Sequence, residues 1–217
     1  KAAQGCDRIY HVAARAGVWG SYNDFYQPNV VGTANILKAC QTHQISKLIY
    51  TSTPSVIHAG GDVEGIDEAE PYPEHFETHY PATKAMAEKM VLEANGPDLQ
   101  TVALRPHLIW GPEDNHLVPR IVDRGQRGKL KLVGGGLKLI DSVYIDNAAD
   151  AHILAGEKLA PGAACAGKAY FITQDAPIPS HQLINGILNA AGLGPVQRSV
   201  HPKVAYAAGA MLEGVYN

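Results

Sequence analysis

The chain has 217 residues, a formal net charge of −3 and three cysteines. That length suits one domain with a substantial core, or a domain and a half. The mild acidity and the lack of a Lys/Arg cluster exclude nucleic acid as the main partner. Cys6, Cys40 and Cys165 have neither zinc nor Cys-x-x-Cys spacing, and so read as reduced thiols of a cytoplasmic protein. No apolar run reaches the roughly 18–20 residues that cross a bilayer, and no signal-peptide pattern is present.

Arg8–Ala14 reads as a buried strand ending in small residues. A helix follows over about Tyr26–His43, with Val30, Ala34, Leu37 and Cys40 as its apolar stripe. Lys47–Ser52 is a second strand. Thr53–His79 is a long irregular stretch of the kind that usually carries function. It leads to a helix opening at His79-Tyr80-Pro81, with Pro81 in the first turn and good helix formers to Ala94. Asn95-Gly96-Pro97 should stop that helix with a left-handed cap. Thr101–Leu104 is a strand and Arg105–Asn115 a loop.

Further on, Leu117–Arg127 reads as helix, Leu130–Val133 as a short strand and Gly134–Gly136 as a turn. Ser142–Ile145 is a strand, Asn147–Leu159 an Ala-rich helix, Lys168–Thr173 a strand, Ser180–Ala191 a helix, and Pro202–Tyr216 a further helix. This alternation predicts a mostly parallel sheet with helices on both faces. Ligands of such sheets sit beyond the carboxyl ends of the strands. Those ends are Ala13-Ala14, Ser52-Thr53 and Arg105-Pro106-His107, which with the Tyr80 helix outline one cleft. Residues 1–112 are expected as one domain and 113–217 as a second region, with 142–159 returning to the first.

Tyr80 and Lys84 lie one turn apart at a helix entrance and can point the same way. Such a spacing means little alone. Here it follows a strand that ends in hydroxyl residues, Thr51-Ser52-Thr53, and precedes another strand. His75 and His79 with Glu77 have metal-like spacing but no visible third ligand, so no metal is expected.

In this order the motifs resemble those of an extended short-chain dehydrogenase/reductase, within the NAD-dependent epimerase/dehydratase superfamily. They are His11-Val12-Ala13-Ala14, Asn29 in Asn29-Val30-Val31-Gly32-Thr33, Thr51-Ser52-Thr53, Tyr80/Lys84, Leu104–Pro112 and Val143–Asp150. The resemblance covers nearly the whole chain and implies a Rossmann-like doubly wound sheet with a smaller C-terminal substrate-binding region. It implies Tyr80, Lys84, Thr53 and Asn29 as catalytic residues. It places Val12, Ala13, Ala14, Asn29, Thr51, Ser52, Tyr80, Lys84, Pro106, His107 and Leu108 against NAD or NADP, with the preference open. An ammonium one turn away, helped by an oxidised nicotinamide, should lower the pKa of the Tyr80 phenol from its usual value near 10. Tyr80 would then exchange a proton with the substrate oxygen.

The family's glycine-rich phosphate turn, G-x-x-G-x-x-G, is absent; Asn23 stands where a third glycine would follow Gly17 and Gly20. The first βαβ unit is therefore expected upstream of Lys1, and the chain as given should bind a dinucleotide poorly. Lys138-Leu139-Ile140 lacks the arginine common in sugar-nucleotide enzymes. With Gly17–Gly20 and Thr53–Val56, this makes the chain similar to the 3β-hydroxysteroid dehydrogenase branch, particularly bacterial reductases of 2-alkyl-3-oxoalkanoates. A small apolar substrate carrying a secondary alcohol or ketone is implied, with Trp19, Thr53, Ile57 and Trp110 as candidate contacts. For the aromatic and aliphatic members, a place in the core is an equal alternative. A sugar-nucleotide epimerase or dehydratase and a non-catalytic nicotinamide sensor are the rival readings, and a homodimer is left open.

Overall fold

The structure is a computed structural model and describes residues 2–216. In chain order it runs β1 (Arg8–His11), α1 (Tyr22–Tyr26), a π-helical turn (Gln27–Val31), α2 (Gly32–His43), β2 (Lys47–Thr51), a 3-10 turn (Pro54–Ile57), α3 (His79–Glu93) and β3 (Gln100–Pro106). It continues with β4 (Leu108–Trp110), α4 (Leu117–Gln126), β5 (Leu132–Val133), a 3-10 turn (Gly134–Gly136), β6 (Leu139–Ile140), β7 (Ser142–Tyr144) and α5 (Ile145–Lys158). The last elements are β8 (Lys168–Ile172), β9 (Ile178–Pro179), α6 (Ser180–Ala190), β10 (Ser199–Val200) and α7 (Pro202–Tyr216). Among the described residues, no helix is long and apolar enough to cross a membrane.

The chain forms two compact units, Lys1–His107 with Asp146–Thr173, and Leu108–Ile145 with Gln174–Asn217. The first crossing thus falls at His107 instead of 112, and the returning segment reaches Thr173 because β8 joins the main sheet. That sheet has the order β1-β2-β3-β8, and every pairing in it is parallel.

Period-two alternation sorts the side chains of the first unit onto two faces. Leu48, Tyr50 and Ala103 pack with Cys40, Ala87 and Val91 of α2 and α3. Ile49, Val102 and Leu104 pack on the other face with Leu159, just past α5. β3 is buried at every residue, as a central parallel strand should be.

The first helix begins at Tyr22, four residues before the expected Tyr26. Ser21 and Asp24 form a reciprocal capping box, with the Asp24 amide donating to Ser21 Oγ at 3.3 Å and the Ser21 amide to Asp24 Oδ2 at 2.9 Å. Pro28 then falls inside the helix, where it has no N–H to give. The backbone widens into the π turn at that point, and the Gly32 N–H reaches back to the Gln27 carbonyl.

The left-handed cap expected after α3 is a correction: Ala94 is right-handed and Gly96 keeps a negative φ. The chain turns instead through Asn95, whose Oδ1 accepts the Thr101 amide at 3.0 Å, and through a Gly96 N–H to Leu99 carbonyl bond of 2.8 Å.

In the second unit, Leu108–Trp110, expected as loop, is a strand paired in parallel with β7. Two further pairs, β5 with β10 and β6 with β9, hold two residues each. Gly134–Gly136 makes a packed turn between β5 and β6. A Cβ on Gly136 would collide with His181, whose Nδ1 donates to the Gly136 carbonyl at 2.9 Å.

Candidate active site

The residues singled out in the first unit converge at the carboxyl end of β2. Thr53 leaves the strand in extended conformation and caps the Pro54–Ile57 turn, its Oγ1 accepting the Ser55 amide at 3.3 Å. Tyr80 comes from the first turn of α3, and its phenol interacts with the Thr53 side chain. Lys84, one turn on, is 2 % exposed. Its Nζ donates to the Thr51 carbonyl at 2.7 Å and lies 4.1 Å from the centroid of the Tyr50 ring.

Burial dominates the electrostatics. It pushes the Tyr80 phenol above its usual value, opposed only by the Thr53 side chain. It brings Lys84 down from 10.5 to about 7, with Glu88 pulling the other way. The expectation that Lys84 lowers the phenol's pKa is therefore corrected for this state of the protein. Desolvation outweighs attraction when both groups leave water, because each charged form loses its hydration. His11, in β1, is brought from 6.5 to about 4 by burial and by the Lys84 charge.

Asn29 is placed by the π turn, a local widening that often marks functional positions in helices. It is 1 % exposed, and both polar atoms of its side chain are bonded within the protein. Oδ1 accepts the Arg15 amide at 2.7 Å; Nδ2 donates to the Arg15 carbonyl at 3.1 Å and to Thr83 Oγ1 at 3.0 Å. Asn29 thus ties the segment after β1 to α3 between Tyr80 and Lys84, by way of Thr83. Its amide is spent on structure.

Ala13 and Ala14 line a cleft of about 520 Å³ with His11, Arg15, Asp24, Pro28, Gly32 and Ile36. Val12 is 61 % exposed beside them. Ser52 is buried, and its Oγ has no hydrogen-bond partner among the described residues. Thr51 differs from expectation: its hydroxyl bonds His152 Nε2 of α5 at 2.8 Å, which leaves its carbonyl, through Lys84, as its link to the site. Pro106 is buried at the end of β3, and His107 donates its amide to the Ile172 carbonyl while its ring packs edge-on to Phe171.

Of the substrate candidates, Thr53 lies against the Tyr80 phenol. Ile57 is a correction, because it is 6 % exposed and packed with Val56 and Ala85 in a core cluster beneath the 3-10 turn. Trp19 is 61 % exposed in the first unit. Leu108 and Trp110 belong to the second unit, where Trp110 stacks edge-on against Tyr144.

Sequence reasoning gave no individual role to three neighbours of the site. His11 Nε2 meets Thr33 Oγ1 at 2.9 Å. Thr83 is a fully buried hydroxyl in a helix interior, and Tyr50 is the floor under Lys84. The signal for Tyr50 was available in the alternation of β2, which sends residues 48 and 50 toward α3.

The family model described as 3-beta hydroxysteroid dehydrogenase/isomerase matches residues 1–202. The chain belongs to that family. It is 52 % identical over 224 residues to a 2-alkyl-3-oxoalkanoate reductase of Shewanella oneidensis, covering 100 % of this chain and 58 % of the relative. A second 2-alkyl-3-oxoalkanoate reductase, from Stenotrophomonas maltophilia, is 52 % identical over 99 % of the chain and 66 % of its own length. A mouse sterol-4-alpha-carboxylate 3-dehydrogenase is 37 % identical, covering 86 % and 52 %. This member of the family therefore spans about three-fifths of its bacterial relatives' length.

Among solved structures, a UDP-glucuronic acid 4-epimerase from Bacillus cereus in complex with NAD aligns at a TM-score of 0.77 and 23 % identity, over 92 % of this chain and 64 % of its own. A dTDP-glucose 4,6-dehydratase from Bacillus anthracis gives 0.71 at 23 %, over 90 % and 60 %. These two likenesses establish the Rossmann-like fold of the family.

Proposed function

We propose that the whole protein is an NAD(P)-dependent oxidoreductase that interconverts a ketone and a secondary alcohol on an apolar substrate of the 2-alkyl-3-oxoalkanoate or 3β-hydroxysteroid type. The single observation that carries this reading is the Tyr80–Thr53 hydroxyl pair, backed one turn along α3 by the buried Lys84 ammonium. The relatives' names, two reductases and a sterol dehydrogenase, point the same way.

The residues fit a dinucleotide. Ala13 and Ala14 offer a side-chain-poor cleft wall, Ser52 an unspent buried hydroxyl, and Lys84 a cation beside the strand ends. These, with Val12, Pro106 and His107, are the groups that would hold the cofactor in this unit. When bound, the nicotinamide supplies or accepts the hydride. Every other task belongs to the protein.

A phenol pushed up by burial keeps its proton at neutral pH and is therefore a donor. As built, Tyr80 is set to protonate a ketone oxygen while Thr53 hydrogen-bonds that same oxygen. The C=O bond gains a hydride on carbon and the Tyr80 proton on oxygen, giving the alcohol. Lys84 supports the phenolate left behind until solvent returns a proton. Asn29 holds the Arg15 segment and Thr83, so that α3 meets β2 in one register.

Tyr80→Phe keeps the ring and removes the proton. Turnover of 3-oxo lipids by the whole protein should fall by about 10²–10⁴-fold with little change in KM, the range for loss of a positioned acid. Undiminished turnover defeats the assignment. Activity on a nucleotide-sugar and none on 3-oxo lipids or 3β-hydroxysteroids would transfer the site to the epimerase/dehydratase reading.

A further inference from the structure

Tyr50 is assigned no part in the chemistry above, yet its ring face lies against the one cation of the proton-transfer site. Nζ of Lys84 is 4.1 Å from the ring centroid, and both side chains are fully buried. Alternation along β2 makes this contact unavoidable: Leu48 and Tyr50 face α2 and α3, while Ile49 faces α5. On the same ring, His11 packs at 5.5 Å with a 46° tilt. An aromatic face is the negative pole of a quadrupole, and its pull on an ammonium grows as water is excluded.

The charged and titratable groups around Lys84 are His11 from β1 and, on α3 itself, Tyr80 and Glu88, each one turn away. The Glu88 carboxylate is taken up by Arg105, at 2.7 Å, and by the Tyr72 hydroxyl, at 2.6 Å. The Thr51 carbonyl and the Tyr50 ring are what hold the ammonium.

We propose that Tyr50 is a positioning residue, its ring face fixing the Lys84 ammonium one helical turn from the Tyr80 phenol. The purpose rests on the oxidoreductase reading; the contact does not. A ring in this place orients the cation without competing for its protons. Two N–H donors of Nζ are thereby left for other partners, since a carbonyl takes one and a π face needs none.

The test compares Tyr50→Phe with Tyr50→trifluorophenylalanine in the whole protein. Both keep the ring's shape, and fluorination strips the negative charge from its face. The Cε signal of Lys84, identified by its loss in Lys84→Met, is titrated by NMR without substrate. Tyr50→Phe should titrate within about twofold of the unsubstituted protein in proton affinity. The fluorinated variant should bind that proton about threefold to tenfold more weakly. The pH profile of ketone reduction should shift in the same sense. Identical titrations for the two variants overturn the proposal. If fluorination moves Lys84 while Tyr80→Phe leaves turnover intact, the ring's hold on the ammonium stands and the functional reading falls.

Discussion

Lys84 and His11 are basic groups that the fold takes out of water, and each should leave a signature in stability against pH. Lys84 falls from 10.5 to about 7 and His11 from 6.5 to about 4, so between those limits the unfolded chain binds more protons than the folded one. Stability must then rise with pH across each window and be lost as pH falls through it. The thermal midpoint should climb from pH 7 to pH 9, and Lys84→Met should flatten that climb. A midpoint that falls over this range would show that Lys84 keeps its proton when folded. A separate decline below about pH 6 should be removed by His11→Asn. The sequence announced Lys84 by its spacing from Tyr80. It did not announce the low affinity for protons, because that comes from burial in a core assembled from β2 and its neighbours, which outweighs the pull of Glu88.

At the scale of elements, α3 is fastened to β3 and to the long loop by one buried ion pair. Arg105 donates to Glu88 through Nε and Nη2 at 2.7–3.2 Å, and Tyr72 donates to the same carboxylate. The pair is 3 % and 0 % exposed in its side chains. Its geometry follows from two periods: Glu88 sits one turn beyond Lys84 on α3, and Arg105 sits two residues beyond Ala103 on the same face of β3. Glu88→Leu strands the Arg105 charge in the interior and should cost about 3–5 kcal/mol in urea unfolding. Combining it with Arg105→Met should return much of that loss, since two apolar groups of similar volume need no partners. A double variant as unstable as the single one would mean that Tyr72, and not the ion pair, carries the join. The strand–helix alternation of the first unit was legible because each element is long enough to show its period. The end of α3 was misread because Asn95 and Gly96 suit a left-handed cap, while the side chain of Asn95 found a partner in Thr101, six residues on.

Across the whole molecule, legibility tracks the length of the pairings. β1, β2, β3 and β8 pair over four or five residues, and each was read as a strand. β5, β6, β9 and β10 hold two residues each, too few for any alternation to show, and they were seen only in part or not at all. The same contrast should govern amide exchange. Leu48–Tyr50 and Val102–Leu104, buried with bonds on both sides, should exchange slowest, and the two-residue pairs of the second unit far faster. Exchange measured by mass spectrometry on peptides from the two regions checks this. Equal protection would mean that the second unit draws its stability from something other than its sheets. Roles in the cleft were legible only as far as residue types go: the hydroxyls, phenol and ammonium were all named, but Ile57 turned inward because the 3-10 turn after Thr53 aims it at Ala85.

The wide turn at Gln27–Val31 carries one residue more than a regular helix would use over the same rise. Deleting a single residue there would let the segment relax to ordinary winding over that rise, with Phe25 on one side and Cys40 on the other keeping their seats. A further insertion has no such slack, since each residue of an α-helix advances the azimuth by about 100°. One residue removed from this segment should therefore be better tolerated by the fold than one residue added.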